Sequence, residues 1–257
     1  MNILLTVRYD GTNYNGWQRQ ENTPHTIQEV LEAALEVRLG AHHLITAAGR
    51  TDAGVHAFAM PCAFQCETLN IPPERLPLAL NSLLPQDIRV TNARVVPDDF
   101  DSITSAVAKT YRYKLDNAEI PNVFTRYYAW HVHRPLDVAA MAEAAAHFVG
   151  IHDFKAFCAV GGSAKTSVRE IFALDVVREV DTISISVTGN GFLYNMVRII
   201  TGTLVDVGLG AKLPSDIPGI IASCDRKKAG QTAPACGLAL INVDYGELAP
   251  NYKGFST

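Results

Sequence analysis

Gly49-Arg50-Thr51-Asp52-Ala53-Gly54-Val55-His56-Ala57 joins two strand-like segments, residues 43–48 and Ala57 to Cys66. Reading this stretch as a turn between strands fixes the pattern of the first hundred residues. Gly49 and Gly54 frame it, and glycine lets backbone turn sharply and approach a neighbour closely. Arg50 and Asp52 stand two residues apart inside it. Two readings of Asp52 are open. It bonds its own backbone in an Asx-turn, or it lies at the bottom of a cleft, held ionised by a cation.

On the N-terminal side, Ile3, Leu5, Val7 and Tyr9 alternate with Leu4, Thr6 and Arg8, the period of a strand over residues 2–9. A polar loop follows, with turn chemistry at Asp10-Gly11-Thr12-Asn13 and Asn15-Gly16. It carries Tyr14, Trp17, Gln18 and Arg19, whose aromatics either stack on bases or tuck back onto the core. Thr26 and Glu29 form a capping box. Ile27, Val30, Leu31, Ala34 and Leu35 then keep helical spacing, and Gly40 closes the helix. Beyond the Asp52 loop, Glu74 to Leu84 reads as a helix behind Pro72 and Pro73. Ile88 to Val96 reads as a strand. The order is β-α-β-β-α-β, and Pro97 to Ser102 is the joint.

The remainder repeats that order without repeating the sequence. Ser105 to Leu115 reads as a strand, residues 116–126 as an irregular loop, and Tyr127 to Val132 as a strand. Asp137 caps an alanine-rich helix from Val138 to Val149, closed by Gly150. Residues 151–167, with Gly161-Gly162-Ser163, read as a mobile functional insertion. Arg169 to Glu179 and Thr182 to Thr188 read as strands. A helix begins at Gly191, with an apolar stripe of Leu193, Met196, Val197, Ile200, Leu204 and Val207. Residues 215–224 read as a short helix and Leu238 to Val243 as the last strand. With the strand at Ser105–Leu115 set aside, residues 127–243 read β-α-β-β-α-β. The expectation is an α+β fold of two ferredoxin-like, split-βαβ halves, residues 1–104 and 105–257. Joining their sheets edge to edge covers strands that otherwise invite aggregation.

Composition bounds the partners. Residues 1–105 hold 7 Lys and Arg against 12 Asp and Glu, and the remainder 15 against 14. The net charge of −4 argues mildly against a polyanionic partner. It is an average, however: residues 106–169 hold 8 Lys and Arg against 5 Asp and Glu. A solvated mixed-charge surface also fits that excess. No run of eighteen apolar residues is present, so no membrane span is expected. The N-terminus lacks the features of a signal peptide. Five cysteines without a Cys-x-x-Cys fit a reducing cytoplasm. Cys62 and Cys66 share a strand face but have no partner pair at metal-ligand spacing, so no metal site is expected.

The nonapeptide resembles the signature of the tRNA pseudouridine synthase A family. Lys109-Thr110-Tyr111-Arg112-Tyr113 resembles the family's second motif, Gly191-Phe192-Leu193-Tyr194-Asn195-Met196-Val197-Arg198 its third, and Ala233-Pro234-Ala235-Cys236-Gly237-Leu238 its closing one. The four stand in family order across nearly the whole chain. Tyr194-Asn195 occupies a place where many relatives have two histidines. The resemblance implies one extended, mainly antiparallel sheet with helices packed on it and the active cleft between the halves. It implies isomerisation of uridine to pseudouridine at positions 38, 39 and 40 of the tRNA anticodon arm, by a homodimer, without cofactor or metal.

It further implies Asp52 as the catalytic carboxylate, acting as nucleophile or as base. The target uridine must leave the stack to be reached. Tyr111 would then wall the extruded base, Arg198 pair with Asp52, and Arg50 meet phosphate or the nucleotide. Taken without the motifs, Tyr111 is a core-facing strand aromatic and Arg198 an exposed helix arginine. His56 lies four residues after Asp52, but no Ser or Cys nucleophile accompanies it, so a hydrolase triad is disfavoured. The alternative function is a non-catalytic RNA-binding module of the same fold.

Overall fold

The computed structural model describes residues 1–21, 23–162 and 164–246. Ser163 of the expected mobile insertion therefore lies outside the described residues. The chain divides into two units. The first holds Met1–Val107 and is rejoined by the chain from Leu240; the second holds Ala108–Ala239. Most of the final strand thus belongs to the first unit, whereas the sequence reading placed residues 105–257 in the second half.

In the first unit the elements are β1 (Asn2–Tyr9), α1 (Ile27–Leu39), β2 (Thr46–Ala47), β3 (His56–Gln65), α2 (Leu76–Asn81) and β4 (Ile88–Val96). β1 pairs antiparallel with both β3 and β4, and β2 pairs antiparallel with β3. The strand order is fourth-first-third-second, as a split βαβ unit requires. The capping box forms with a shift of one residue. Thr26 accepts from Glu29 N at 3.3 Å, while Glu29 accepts from His25 N at 3.0 Å. Gly40, at φ 79°, closes α1. Two expected elements are shorter than read. The strand over 43–48 is only Thr46–Ala47. The helix over 74–84 is a 3₁₀ turn, Pro73–Arg75, followed by α2. Asn81 explains the early stop: its side chain bonds the N–H and C=O of Val90 at 2.8 Å each, tying the helix end to β4.

The second unit contains β5 (Ala108–Asp116), β6 (Trp130–His131), α3 (Val138–Ala146), β7 (Gly150–Asp153), β8 (Val168–Glu179), β9 (Thr182–Gly189), α4 (Met196–Gly208) and α5 (Ile217–Ser223). The last strand, β10 (Leu238–Asp244), is divided between the units at Leu240. The order is β10-β5-β9-β8-β7. β9 pairs antiparallel with β5 and β8, β7 pairs antiparallel with β8, and β6 runs parallel to β5. The first strand of this split βαβ unit is therefore β5, not the segment 127–132. That segment leaves only two residues in the ladder, because local turns take up the preceding backbone. Asp116 accepts from Ala118 N and Asn122 N, Asn122 accepts from Phe124 N, and Tyr128 N bonds Thr125 O at 2.7 Å. Such side-chain-to-backbone bonds compete with strand pairing.

Residues 151–167 contain β7 and a 3₁₀ turn, Phe154–Phe157, whose rings pack at 6.2 Å. The helix read from Gly191 begins five residues later. Asn195 sits at φ 59°, a left-handed conformation that no α-helix interior accepts, so it stands at the N-cap. All six stripe residues are buried. Thr201, Gly202 and Thr203 are buried as well, so α4 is enclosed on nearly every side. The α+β class and the mainly antiparallel pairing are those expected.

Candidate active site

The Asp52 loop is built by two tight backbone approaches. Val55 N bonds Asp52 O at 3.1 Å, and Gly54 sits at φ 79°, the third position of a turn that favours glycine. The turn is therefore closed backbone to backbone. The preceding polar loop clamps it. Trp17 N bonds Thr51 O at 3.0 Å and Gly54 N bonds Tyr14 O at 3.3 Å. The Thr51 hydroxyl shares a 2.7 Å bond with the Tyr9 hydroxyl. A Cβ on Gly11 would stand 2.0 Å from Val55 O, and one on Gly16 2.6 Å from Thr51 O. Only glycine permits this contact between the loops.

The loop aromatics serve that clamp. Trp17 is 1% exposed, with its ring 5.9 Å from that of Tyr9. The Tyr14 hydroxyl donates to Asp87 at 2.7 Å, and burial with the nearby carboxylates pushes its pKa well up. Trp17 tucks onto the core, while Tyr14 is half-buried and tied by its hydroxyl to Asp87. Arg19 bonds the buried Glu32 at 2.9 Å, and Glu32 also accepts from Ile45 N. Gly11 N and an Asp10 oxygen each lie 3.1 Å from His56 Nδ1. A nitrogen accepting from Gly11 carries no proton and cannot donate to Asp10, so the two contacts belong to different tautomers. With its flanks fixed, Asp52 is half-buried, and Arg50 is exposed at the rim.

In the second unit, Tyr111 is 8% exposed on β5, across from Val187 of β9. Its ring meets Phe192 edge-on, centroids 5.2 Å apart. Tyr113, two residues on, is fully buried and donates to Pro234 O at 2.7 Å. A Cβ on Gly237 would strike its ring at 2.5 Å. Burial raises the Tyr113 pKa far above its ordinary range, fixing the phenol as a donor. The second and closing motifs thus interlock through a ring, a carbonyl and a glycine.

Arg198 is half-buried rather than an exposed helix arginine. Its Nε donates to Ala233 O at 2.7 Å and its Nη1 to Asn195 Oδ1 at 2.7 Å. Tyr194 and Asn195 precede α4, which begins at Met196. Asn195 still reaches Arg198, because its left-handed backbone turns the side chain back along the first turn. The sequence alone offered no sign of this brace. Arg50 and Asp52 belong to the first unit, and Tyr111 and Arg198 to the second. No group of three or more metal-ligating side chains exists among the described residues. Among them, no helix is long and apolar enough to cross a membrane.

A family model described as tRNA pseudouridine synthase matches residues 5–103 and 144–246, a stretch that includes Arg50, Asp52 and Arg198. The tRNA pseudouridine synthase A of Ruminiclostridium cellulolyticum is 49% identical over 244 residues, 95% of this chain and 99% of its own. That of Caldicellulosiruptor saccharolyticus is 46% identical with the same coverage. A solved structure titled as a Cbf5-Nop10-Gar1 complex overlays 93% of this chain and 48% of its own, with TM-score 0.38 and 12% identity, too slight a likeness to carry an argument. Enzymes of this class isomerise uridine within tRNA. The chain belongs to the tRNA pseudouridine synthase family.

Proposed function

We propose that this protein isomerises uridines 38, 39 and 40 in the tRNA anticodon arm, with Asp52 as the essential carboxylate. The observation that supports the role of Asp52 is its place on a turn clamped from both sides by the 10–17 loop. A half-buried carboxylate on fixed backbone is positioned before the substrate arrives, which lowers the cost of reaching a reactive geometry.

The reaction breaks the bond between uracil N1 and ribose C1′ and forms one between C5 and C1′. A proton leaves C5 and N1 gains one, so the change is an isomerisation. Asp52 serves it either by attack on the nucleotide or by removing the C5 proton. Arg198, held by Asn195 and Ala233, is the cation of the site, on the resemblance of the motifs. Tyr111 contacts the extruded base, and Arg50 the phosphate or the nucleotide. A homodimer acting in the cytoplasm completes the reading, on the resemblance of the motifs alone.

The test is Asp52→Asn, which keeps shape and removes charge. Tritium release from C5-labelled tRNA should vanish, with tRNA binding largely kept, because phosphate contacts supply most affinity. Turnover near that of the wild type would remove Asp52 from catalysis. A wild-type protein that binds tRNA and releases no tritium would instead be the RNA-binding module.

A further inference from the structure

We propose that Gln28 and Glu32, two buried polar residues of α1, are positioning residues for the reaction, holding the two backbone segments that carry the Asp52 turn. This rests on the proposed function, in which Asp52 is the essential carboxylate.

Helical spacing puts Gln28 and Glu32 one turn apart on α1, among Ile27, Leu31 and Leu35 on its buried side. Gln28 is 3% exposed and Glu32 2%. An apolar side chain would fill those places without desolvating a polar group, so what the two residues bond decides their use. The Gln28 amide has two donors and an oxygen with two lone pairs, and all are employed. Its Oε1 accepts from Arg19 N at 3.0 Å and from the Gln18 side chain at 2.9 Å. Its Nε2 donates to Glu32 Oε1 at 2.8 Å and to Ile45 O at 3.2 Å. Glu32 Oε1 accepts in turn from Ile45 N at 3.1 Å, and Oε2 lies 2.9 Å from Arg19 Nη1.

Both ends of this network lead to Asp52. Ile45 is buried, and both its backbone polar groups are bonded by the pair. From it the chain runs through β2 into Gly49 and the turn. On the other side, Gln18 and Arg19 follow Trp17. The Trp17 N–H bonds Thr51 O at 3.0 Å, next to Asp52, and the Trp17 carbonyl accepts from Gln28 N at 3.0 Å. The same two side chains thus tie the clamp loop and the strand entering the turn to one helix. A fully satisfied buried network fixes one arrangement where apolar contact tolerates several. Loss of one member leaves buried groups unpaired, and the segments then settle elsewhere. A small shift of Asp52 costs far more in rate than in binding, which phosphate contacts dominate.

The experiment uses unmodified tRNA with uridine at position 39, at a temperature where circular dichroism shows each protein folded. Single-turnover rate on saturating tRNA, tRNA affinity and amide hydrogen exchange are measured for wild type, Gln28→Met, Gln28→Asn, Glu32→Met and Glu32→Gln. Each Met variant should lower the rate about tenfold or more, with affinity within about twofold of wild type. Exchange should rise within residues 44–57 and stay at the wild-type level in β9. Glu32→Gln, whose Oε1 still accepts from Ile45 N and Gln28, should keep most of the rate. Gln28→Asn keeps the amide but falls one methylene short, so it should resemble Gln28→Met, and it carries the prediction if the Met variants do not fold. Folded variants that turn over as wild type does overturn the positioning role. So does exchange that rises equally in β9, which marks general loosening, or a Glu32→Gln as slow as Glu32→Met, which marks the charge facing Arg19 instead. Wild-type protein that leaves uridine 39 unchanged overturns the proposed function, and this role with it.

Discussion

Arg198 and Ala233 are bonded to each other twice. The Arg198 Nε donates to the Ala233 carbonyl at 2.7 Å, and the Ala233 N–H donates to the Arg198 carbonyl at 3.1 Å. The pair joins two motifs 35 residues apart, and it fixes both the backbone and the side chain of the arginine. With the third bond, from Nη1 to Asn195, the guanidinium is aimed by the protein before any RNA binds. Lysine at this position has no planar fork to satisfy two acceptors at once.

Asn195 therefore acts on the reaction through Arg198. Asn195→Gly keeps the left-handed backbone, which glycine adopts freely, and removes only the side-chain acceptor. A hydrogen bond to a charged group is worth about 1.5–3 kcal/mol. We expect single-turnover rates on saturating tRNA to fall at least tenfold, with tRNA affinity changed much less. Asn195→Ala should add a folding penalty of about 1–2 kcal/mol from the left-handed conformation, visible as a lower melting temperature. Equal rates for Asn195→Gly and wild type would show that the Asn195 side chain is not needed to position Arg198.

Gly11→Ala tests the clamp on the Asp52 turn. The added methyl would meet the Val55 carbonyl at 2.0 Å, too close for any real contact, so the turn or the 10–17 loop must move. Gly11 lies just beyond β1, and the strand pairing of Tyr9 with Ile88 does not depend on it. We expect far-UV circular dichroism to be unchanged while turnover drops more than tenfold, since displacement of a reacting group by about 1 Å is worth about a hundredfold. Wild-type turnover with lowered melting temperature would mean the clamp serves stability only.

The strands with strict alternation, β1 and β9, were legible in the sequence, and β4 and β8 stand within a residue of where they were read. α1 was legible through its caps at both ends. What failed did so where side chains bind local backbone. Asn81 ends α2 early, Asp116 and Asn122 dissolve the expected strand at 127–132, and Asn195 delays α4. Propensity and spacing carry no record of such bonds. The site shows the same division. The motifs bring out Asp52, Tyr111 and Arg198, but not the residues that hold them. Trp17 and Phe192 owe their positions to contacts between segments far apart in sequence, and Asn195 to its left-handed backbone and a bond to Arg198 three residues on. The glycines at 11 and 237 carry the clearest overlooked signal, since each marks a backbone approach, although sequence cannot name the partner.

Alkaline pH gives a separate handle on Lys109. Its folded-state pKa lies below the ordinary lysine value of 10.5. Between that lowered value and the ordinary one, the unfolded chain holds a proton that the folded chain has released. Stability therefore gains from this residue as pH rises through the window, and loses as pH falls through it. We expect Lys109→Met to abolish this residue's part of the slope, read as the difference from wild type in melting temperature across alkaline pH. Parallel curves for the two proteins would place the Lys109 pKa at its ordinary value.

Tyr111 offers a choice between its ring and its hydroxyl. Stacking on a base is worth about 1–3 kcal/mol. If the ring face is all that matters, Tyr111→Ala should lose roughly ten- to a hundredfold and Tyr111→Phe should lose little. The structure weighs against that outcome. The ring is 8% exposed, and Phe192 already packs edge-on against it at 5.2 Å. A ring so covered has little face to offer an incoming base, whereas a hydroxyl at its tip needs only one open direction. We therefore expect Tyr111→Phe to be nearly as slow as Tyr111→Ala, with the block at removal of the C5 proton, after the glycosidic bond has broken. Single-turnover rates of both variants on saturating tRNA, with tritium release followed alongside pseudouridine formation, make the distinction. A Phe variant as fast as wild type would reduce Tyr111 to a wall of the pocket, and would leave the C5 proton to Asp52 or to water.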